Sequence, residues 1–527
     1  MQRVLELVFR PTASEQNPEA GIAQTVRRPD TQHWVAAIAA HEPLAQARHD
    51  QAKFTTELHH CDDPPSGDPA WQCLVLDAGA RRFAIAVHDF SVLPGVRVRS
   101  WEPVALGHDQ LPDFAGQCGD VPWRAEIERH WWRLDLDGEP LTISLDAGVL
   151  SAPVEAGVGG EQRPFVELRI SLELADVDNP DDAAPDEHSA IDDDARVELA
   201  ERAVSLFDLA ISLNTDGWLT LVEHDALTYA SRPLEGPHKA GTIEFGSRPT
   251  YEAVAAAVTR NIFAQWVANA HSVAVDGGSE YVHQMRIALR RMRTAYRFFG
   301  SELRDAAIVP EKHELKWIGG LLGDLRDWDV LIEDTFPAIV RAAHEGEERS
   351  APWSHAEQRV AAHREEAASA LRAAMASGRY AQLLTQVARQ VAVLVTRSTN
   401  RRGRALNPEG RKSLRKQYRK LAHAVDLHEL DAHERHQLRI RAKRLRYAIE
   451  FLAPALDGRQ RKRMAAHVSA LQDALGSAND AIVGRRFLAG VDLDPSVRMF
   501  AEGYLTATEA HGVACGIDEI EKIKQKR

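Results

Sequence analysis

A chain of 527 residues exceeds one ordinary hydrophobic core, so two or more domains are expected. Its net charge of −13 argues against an anion binder only as an average. Split near residue 240, about 19 basic and about 42 acidic residues precede the point and about 45 and about 35 follow it, balances near −23 and +10.

The four cysteines, Cys61, Cys73, Cys118 and Cys515, show neither CxxC spacing nor disulfide density, so no zinc ribbon, redox pair or disulfide scaffold is implied. The opening MQRVLELVFRPTASEQ turns polar too early for a secretory segment, and no apolar run approaches the ~18 residues needed to span a bilayer. A cytoplasmic protein with no membrane partner is expected.

Residues 1–215 are expected to form a mainly antiparallel β domain. Short β-rich runs start at Val4 (VLELVF), Trp71, Arg82, Arg129, Leu141 and Phe165, separated by Gly, Pro and Asp. Within it, 176–194 carries nine acidic residues and no Lys or Arg, and is expected to be a solvated loop. A helix is expected over 195–213, where Val197, Ala200, Val204, Phe207 and Ile211 fall at helical spacing. Residues 216–240 are expected to be a linker.

From residue 241 onward the texture is helical, with Ala, Leu, Arg and Glu in long amphipathic periods. Breakers place helices near 251–273, 279–300, 311–335, 354–396, 408–426, 432–453, 459–490 and 495–511, a bundle architecture. The whole is therefore expected to be α+β and multidomain.

A displacement of 153 residues reveals an internal repeat. His283-Gln-Met-Arg-Ile-Ala-Leu-Arg-Arg-Met-Arg falls on His436-Gln-Leu-Arg-Ile-Arg-Ala-Lys-Arg-Leu-Arg. Without a change of register Leu322-Gly323 meets Leu475-Gly476, and Asp327 meets Asp480. One helical unit has been duplicated, as repeat one over 241–400 and repeat two over 401–515.

His283, Arg286, Arg290, Arg293 and Arg297 occupy one arc of about 80° on their helix. His436, Arg439, Lys443 and Arg446 repeat the stripe, and Glu450 breaks it where the last Arg would stand. Lys412, Arg415, Lys416 and Arg419 add a cationic face on the preceding helix. So many like charges repel one another unless an anion neutralises them. Cations three and four residues apart lie ~5 to 6 Å from each other, a spacing that a linear polyanion can follow without any base edge to read. Arg supplies a planar fork for phosphate oxygens, Lys a point charge, and His a donor whose charge follows the ligand.

Asp327 and Asp480 are expected to support the site by orienting stripe arginines. Gly323 and Gly476 are expected to mark close helix packing. The neighbourhoods of His283 and His436 offer no HxxxH or HxH pair, so no metal is expected, nor any cofactor or catalytic residue.

The paired His-Gln-x-Arg segments resemble the signature of the CHAD domain, the conserved-histidine α-helical domain, and LLGDLRDWDVL at 321 and LQDALGSANDAIV at 471 are similar to its other recurring segments. The resemblance spans about 241–515, within a CHAD domain assigned to 241–527. It implies two four-helix bundles around a basic channel that binds inorganic polyphosphate, with residence at polyphosphate granules among their proteins. The cationic residues named above would line that channel.

CHAD domains often follow a CYTH domain, a triphosphate tunnel fold, and LTISLDAGVL at 141 and PFVELRISLEL at 164 look like its late strands. The opening ExExK of that family maps onto Val4-Leu-Glu6-Leu-Val8, so one acid and the lysine are replaced by valine. A degenerate, inactive CYTH-like barrel is expected, because metal-assisted triphosphate chemistry needs paired carboxylates and a cation. Two other functions compete with non-enzymatic polyphosphate binding. One is a metal-dependent triphosphatase in the first half; the other is nucleic-acid binding in the basic groove, where nucleic acid is expected to be the weaker competitor.

Overall fold

The computed structural model describes residues 2–12, 31–41, 44–60, 72–78, 81–104, 123–152, 162–174, 193–231, 236–245, 249–275, 278–300, 312–344, 350–398, 412, 414–419, 421, 431–474 and 476–525. It has the expected α+β architecture, an antiparallel β region followed by a helical one. By contacts the chain forms two compact units: Met1–Gly236 with Ala376–Thr399, and Pro237–Met375 with Asn400–Arg527.

The first unit is built on strands β1 (Gln2–Pro11), β2 (Arg48–His60), β3 (Gln72–Ala78), β4 (Arg81–Leu93), β5 (Val96–Val104), β6 (Trp123–Leu136), β7 (Glu139–Ser151), β8 (Gln162–Leu174) and β9 (Leu219–Val222). They run β5-β4-β3-β2-β6-β7-β8-β1-β9, and β1 also pairs with β5, so eight strands close on themselves. The closure depends on β1 changing partner along its length. Gln2–Glu6 pair with Trp101–Arg97, while Val8–Pro11 pair with Val222–Leu219. The β6–β7 hairpin turns through Asp137 and Gly138, both at positive φ, the backbone that a two-residue primed turn requires.

Strands β1, β5, β7 and β8 have two unlike faces. Leu5, Leu7 and Phe9 of β1, Ile143 and Leu145 of β7, and Leu168, Ile170 and Leu172 of β8 are buried on one. Glu6, Arg97, Arg99, Asp146, Glu167 and Arg169 occupy the other and reach across strands to each other, as only the concave face permits. The apolar face is therefore the outer one. Helix α2 (Asp193–Leu213) covers it, burying Ala200, Ala203, Leu206, Phe207 and Ala210.

The expected helix over 354–396 is two helices, α8 (Ala351–Met375) and α9 (Gly378–Ser398). The second belongs to the first unit, where it packs on α2 and β9, and Arg389 holds Asp208 through two hydrogen bonds of 2.5 and 3.0 Å. Ser377-Gly378 breaks the helix because the backbones of Gly378 and Gly217 nearly touch. A Cβ on Gly217 would lie 2.5 Å from Gly378 Cα, and Gly217 has φ of +72°.

The segment 216–240, read as linker, contains β9 and the short helix α3 (Ala226–Ser231). Helix α1 (Gln32–Ala39), β2 and β5 are likewise elements with no counterpart in the sequence reading. Of the acidic loop, 176–192 lies outside the described residues, and Asp193 and Asp194 open α2.

The second unit contains α4 (Tyr251–Val275), α5 (Ser279–Phe298), α6 (Lys312–Val330), α7 (Phe336–His344), α8, α10 (Ala432–Phe451), α11 (Gly458–Ala474), α12 (Gly476–Ala489) and α13 (Pro495–Gln525). A π-helical turn at Leu331–Thr335 joins α6 to α7. Helix α5 packs on α4, α6 and α10; α12 packs on α13 and touches α6. A capping box starts α10, with Asp431 accepting from Glu434 N–H and the Glu434 carboxylate accepting from Asp431 N–H. One apolar cluster joins Leu331, Phe336, Ile339 and Trp353 of the first copy to Leu488, Val497 and Leu505 of the second. No helix among the described residues is long and apolar enough to cross a membrane.

Candidate functional site

Helices α5 and α10 carry the two copies of the repeat, and they pack directly on one another. Helical periodicity sorts each into faces. On α5, Met285, Leu289 and Met292 are buried, while His283, Arg286 and Arg290 beside them are half-buried. On α10, Leu438, Ala442 and Leu445 are buried next to half-buried Arg439 and Lys443. Arg293 and Arg297 are exposed on α5, as are His436 and Arg446 on α10.

The two stripes meet at the seam between these helices. Arg286 Nη2 lies 3.2 Å from Asp327 Oδ1, and Arg439 Nη2 lies 3.4 Å from Asp480 Oδ1. The 153-residue displacement relates both arginines and both aspartates, so the duplication has kept a paired device as well as a sequence motif. Arg486 stands 3.9 Å from the other oxygen of Asp327, and His436 Nδ1 faces Asn479 Oδ1 at 3.3 Å.

Between the two acid-supported arginines stand Arg290 and Lys443, which no salt bridge engages among the described residues. Nε of Arg290, Nε of Arg439 and Nδ1 of His283 are buried there without a hydrogen-bond partner. A buried donor without a partner costs about 1–3 kcal/mol, more for a charged one, which a ligand oxygen would offset.

The titration of the seam reports the same crowding. Burial, then Arg439, Arg290 and Arg286, push the Lys443 ammonium down to about 7. Burial and then Arg326 lower His283; burial is also the main cause that lowers Arg290 and Arg439. Further along, burial followed by Arg297, Arg293 and Arg441 lowers Arg444, so the stripe continues into a second cluster of guanidinium groups.

Lys412, Arg415, Lys416 and Arg419 are exposed, while Leu414 between them is buried. Arg415 reaches Gln460 of α11 at 3.5 Å, and no described contact brings these four cations to the α5–α10 seam. The two glycines do not mark close packing. A Cβ on Gly323 would touch only the Arg286 guanidinium at 3.8 Å, and one on Gly476 would meet nothing within 4 Å.

Three residues that sequence reasoning left aside act around the seam. Arg291, 1 % exposed, donates to Gln265 Oε1 at 2.8 Å, Asn261 Oδ1 at 2.7 Å and Glu450 Oε1 at 2.6 Å, tying α4, α5 and α10 together. Glu450, which interrupts the stripe, thus serves as the partner of a buried cation. Arg326 lies beside His283 and Arg486 beside Asp327. The identity of Arg291 with Arg444 was a signal, but it did not separate a buried tie from an exposed charge. No group of three His, Cys, Asp or Glu side chains that could hold a metal is found among the described residues.

Residues 257–489 match the family model of the CHAD domain. Among solved structures, the CHAD domain from the plant Ricinus communis is 23 % identical, with a TM-score of 0.45, over 54 % of this chain and 97 % of that one. PptA from Streptomyces chartreusis is 18 % identical, with a TM-score of 0.39, over 53 % of this chain and 99 % of that one. No curated protein matches the chain.

Proposed function

From the premise that this chain carries a CHAD domain over 257–489, we propose that it binds inorganic polyphosphate at the α5–α10 seam and does no chemistry on it. The observation that carries this reading is the pair Arg290 and Lys443, half-buried cations without an acid partner among the described residues, set between Arg286 and Arg439, which have one each. Such a surplus is unfavourable alone and favourable around a polyanion.

The choice of polyanion rests on what else lines the stripes. Nucleic acid on a single-strand surface gains about 1–3 kcal/mol per base stacked on an aromatic ring. Tyr447 is 2 % exposed, Tyr281 and Tyr296 are half-buried, and the stripe itself is guanidinium, ammonium and imidazole. That lining suits bare phosphate. A binding rather than catalytic role is supported in the first unit, where Glu6 is held by Arg97, and Val4 and Val8 are buried valines where the tunnel-enzyme resemblance would need charges. Residence at polyphosphate granules is the cellular consequence.

The pH dependence of binding tests this reading. A free Lys443 near 7 is partly neutral at neutral pH, and an adjacent phosphate raises its pKa, so binding takes up a proton there. Affinity is therefore complete below about pH 7 and falls, by at most about tenfold per pH unit from this group, as pH rises through the interval up to the pKa of the bound form. Calorimetry of long-chain polyphosphate binding in buffers of different ionisation enthalpy measures the uptake, and Lys443→Arg should abolish most of it. Affinity flat from pH 6 to 9, with no proton uptake, or displacement of bound polyphosphate by RNA at lower phosphate concentration, would defeat the reading.

A further inference from the structure

Lys443 is an amine placed among guanidinium groups. It stands one turn beyond Arg439 on α10, and Arg286 and Arg290 of α5 act on it from across the seam. Asp480 is the carboxylate that acts against them, and Arg439 already engages it at 3.4 Å. No salt bridge reaches Lys443 among the described residues, and its side chain is half-buried, so a small solute can still touch it.

An ammonium in that setting is unfavourable, because three neighbours repel it and burial strips its water. Burial, then Arg439, Arg290 and Arg286, bring it down to about 7. At about pH 7.5 more than half of it is therefore free amine, against roughly one part in a thousand for an ordinary lysine. A lysine kept neutral by desolvation and neighbouring cations is a nucleophile.

The groups beside this amine select what it would attack. Nε of Arg290 and Nε of Arg439 are buried without a hydrogen-bond partner, and both belong to planar forks that suit phosphate oxygens. A small molecule that joins a phosphate dianion directly to an electrophilic carbon would be seated by the forks with that carbon at the amine. Acyl phosphates have this make-up.

We propose that Lys443 is an acylation site for acyl phosphates, with Arg290 and Arg439 holding the phosphoryl group that leaves. The Lys443 Nζ lone pair forms a C–N bond to the acyl carbon, and the C–O bond to phosphate breaks with its electron pair on the phosphate. The nitrogen proton passes to that phosphate, so an amide and hydrogen phosphate result with no oxidant or further reactant. The product has lost the positive charge at the middle of the seam. On the reading that polyphosphate binds there, on which this last step rests, acylation weakens its hold and regulates the site.

The test is incubation of the full chain with acetyl phosphate at about pH 7.5, followed by mass spectrometry of its peptides. Lys443 is expected to gain acetyl groups at least about tenfold faster than the exposed Lys412, Lys416 and Lys462, since its larger amine fraction outweighs its weaker basicity. Acetic anhydride, which has no phosphate to seat, supplies the reference. The ratio of the acetyl phosphate rate to the anhydride rate at Lys443 should fall at least about fivefold in Arg290→Gln, because a charge-assisted bond to the leaving group is lost. Acetylation of Lys443 no faster than that of the exposed lysines, or a ratio unchanged by Arg290→Gln, would overturn the proposal. Long-chain polyphosphate added first should protect Lys443. Selective acylation that polyphosphate fails to slow would support the acylation site and count against polyphosphate at the seam, so the two can fail separately.

Discussion

Arg290→Glu combined with Lys443→Glu is expected to weaken polyphosphate binding by at least about 100-fold. Among the described residues these two cations have no acid partner, so their hydrogen bonds to phosphate do not replace a salt bridge described there. Charge-assisted bonds contribute about 1.5–3 kcal/mol each, and two of them make about 3 kcal/mol at the low end, or two decades in affinity. Reversal adds repulsion between ligand and carboxylate. The fold should tolerate the change, because each new Glu finds Arg286 or Arg439 nearby. Filter binding or calorimetry with long-chain polyphosphate measures the ratio, and matched circular dichroism spectra check the fold. Equal affinities for wild type and double variant would place binding away from the seam.

The second large effect is on salt. Arg286, Arg290, Arg439, Lys443 and Arg446 set about five phosphate contacts, and a flexible polyanion releases about 0.7 counterion for each. The plot of log affinity against log salt should then have a slope near −3.5, which is about a 100-fold loss between 50 and 200 mM. The double variant should flatten the slope by about 1.4. A wild-type slope shallower than about −1 would mean that the ligand is held by few charges, in conflict with two facing stripes.

The seam was legible in the sequence because one physical rule governs it. On a helix, charge at spacings of three and four makes a stripe whatever its neighbours do, and a second copy in register makes the stripe unlikely to be accidental. The 153-residue displacement also paired Asp327 with Asp480, and both stand against the arginines they were expected to orient.

What was not legible depends on contacts between distant segments. Arg291 and Arg444 are the same letter at equivalent positions, yet Gln265, Asn261 and Glu450 bury one, while Arg293, Arg297 and Arg441 surround the other. Strand β5 reads VRVRSWEPV, an alternation that does not say which of its faces lies inside; in a closed sheet with a polar interior Arg97 and Arg99 are on the inner face. Likewise, β9 is only four residues long, and it is a strand because β1 is there to pair with. Asp225 and α3, within the same supposed linker, have their meaning only beside Arg97, Arg99 and Arg169.

Both units thus place arginines where water is scarce, but they compensate them differently. In the barrel Glu6, Asp146, Glu167 and Asp225 stand against the arginines; at the seam Asp327 and Asp480 engage Arg286 and Arg439, and among the described residues no carboxylate engages Arg290 or Lys443.

A crystal structure of the chain with polyphosphate tests the central claim most directly. Phosphoryl oxygens are predicted along the seam, within about 3 Å of Arg290 Nε and Lys443 Nζ, with Arg286 and Arg439 still held by their aspartates. Polyphosphate seated only on the exposed face of Lys412, Arg415, Lys416 and Arg419, with the seam unchanged, would contradict it.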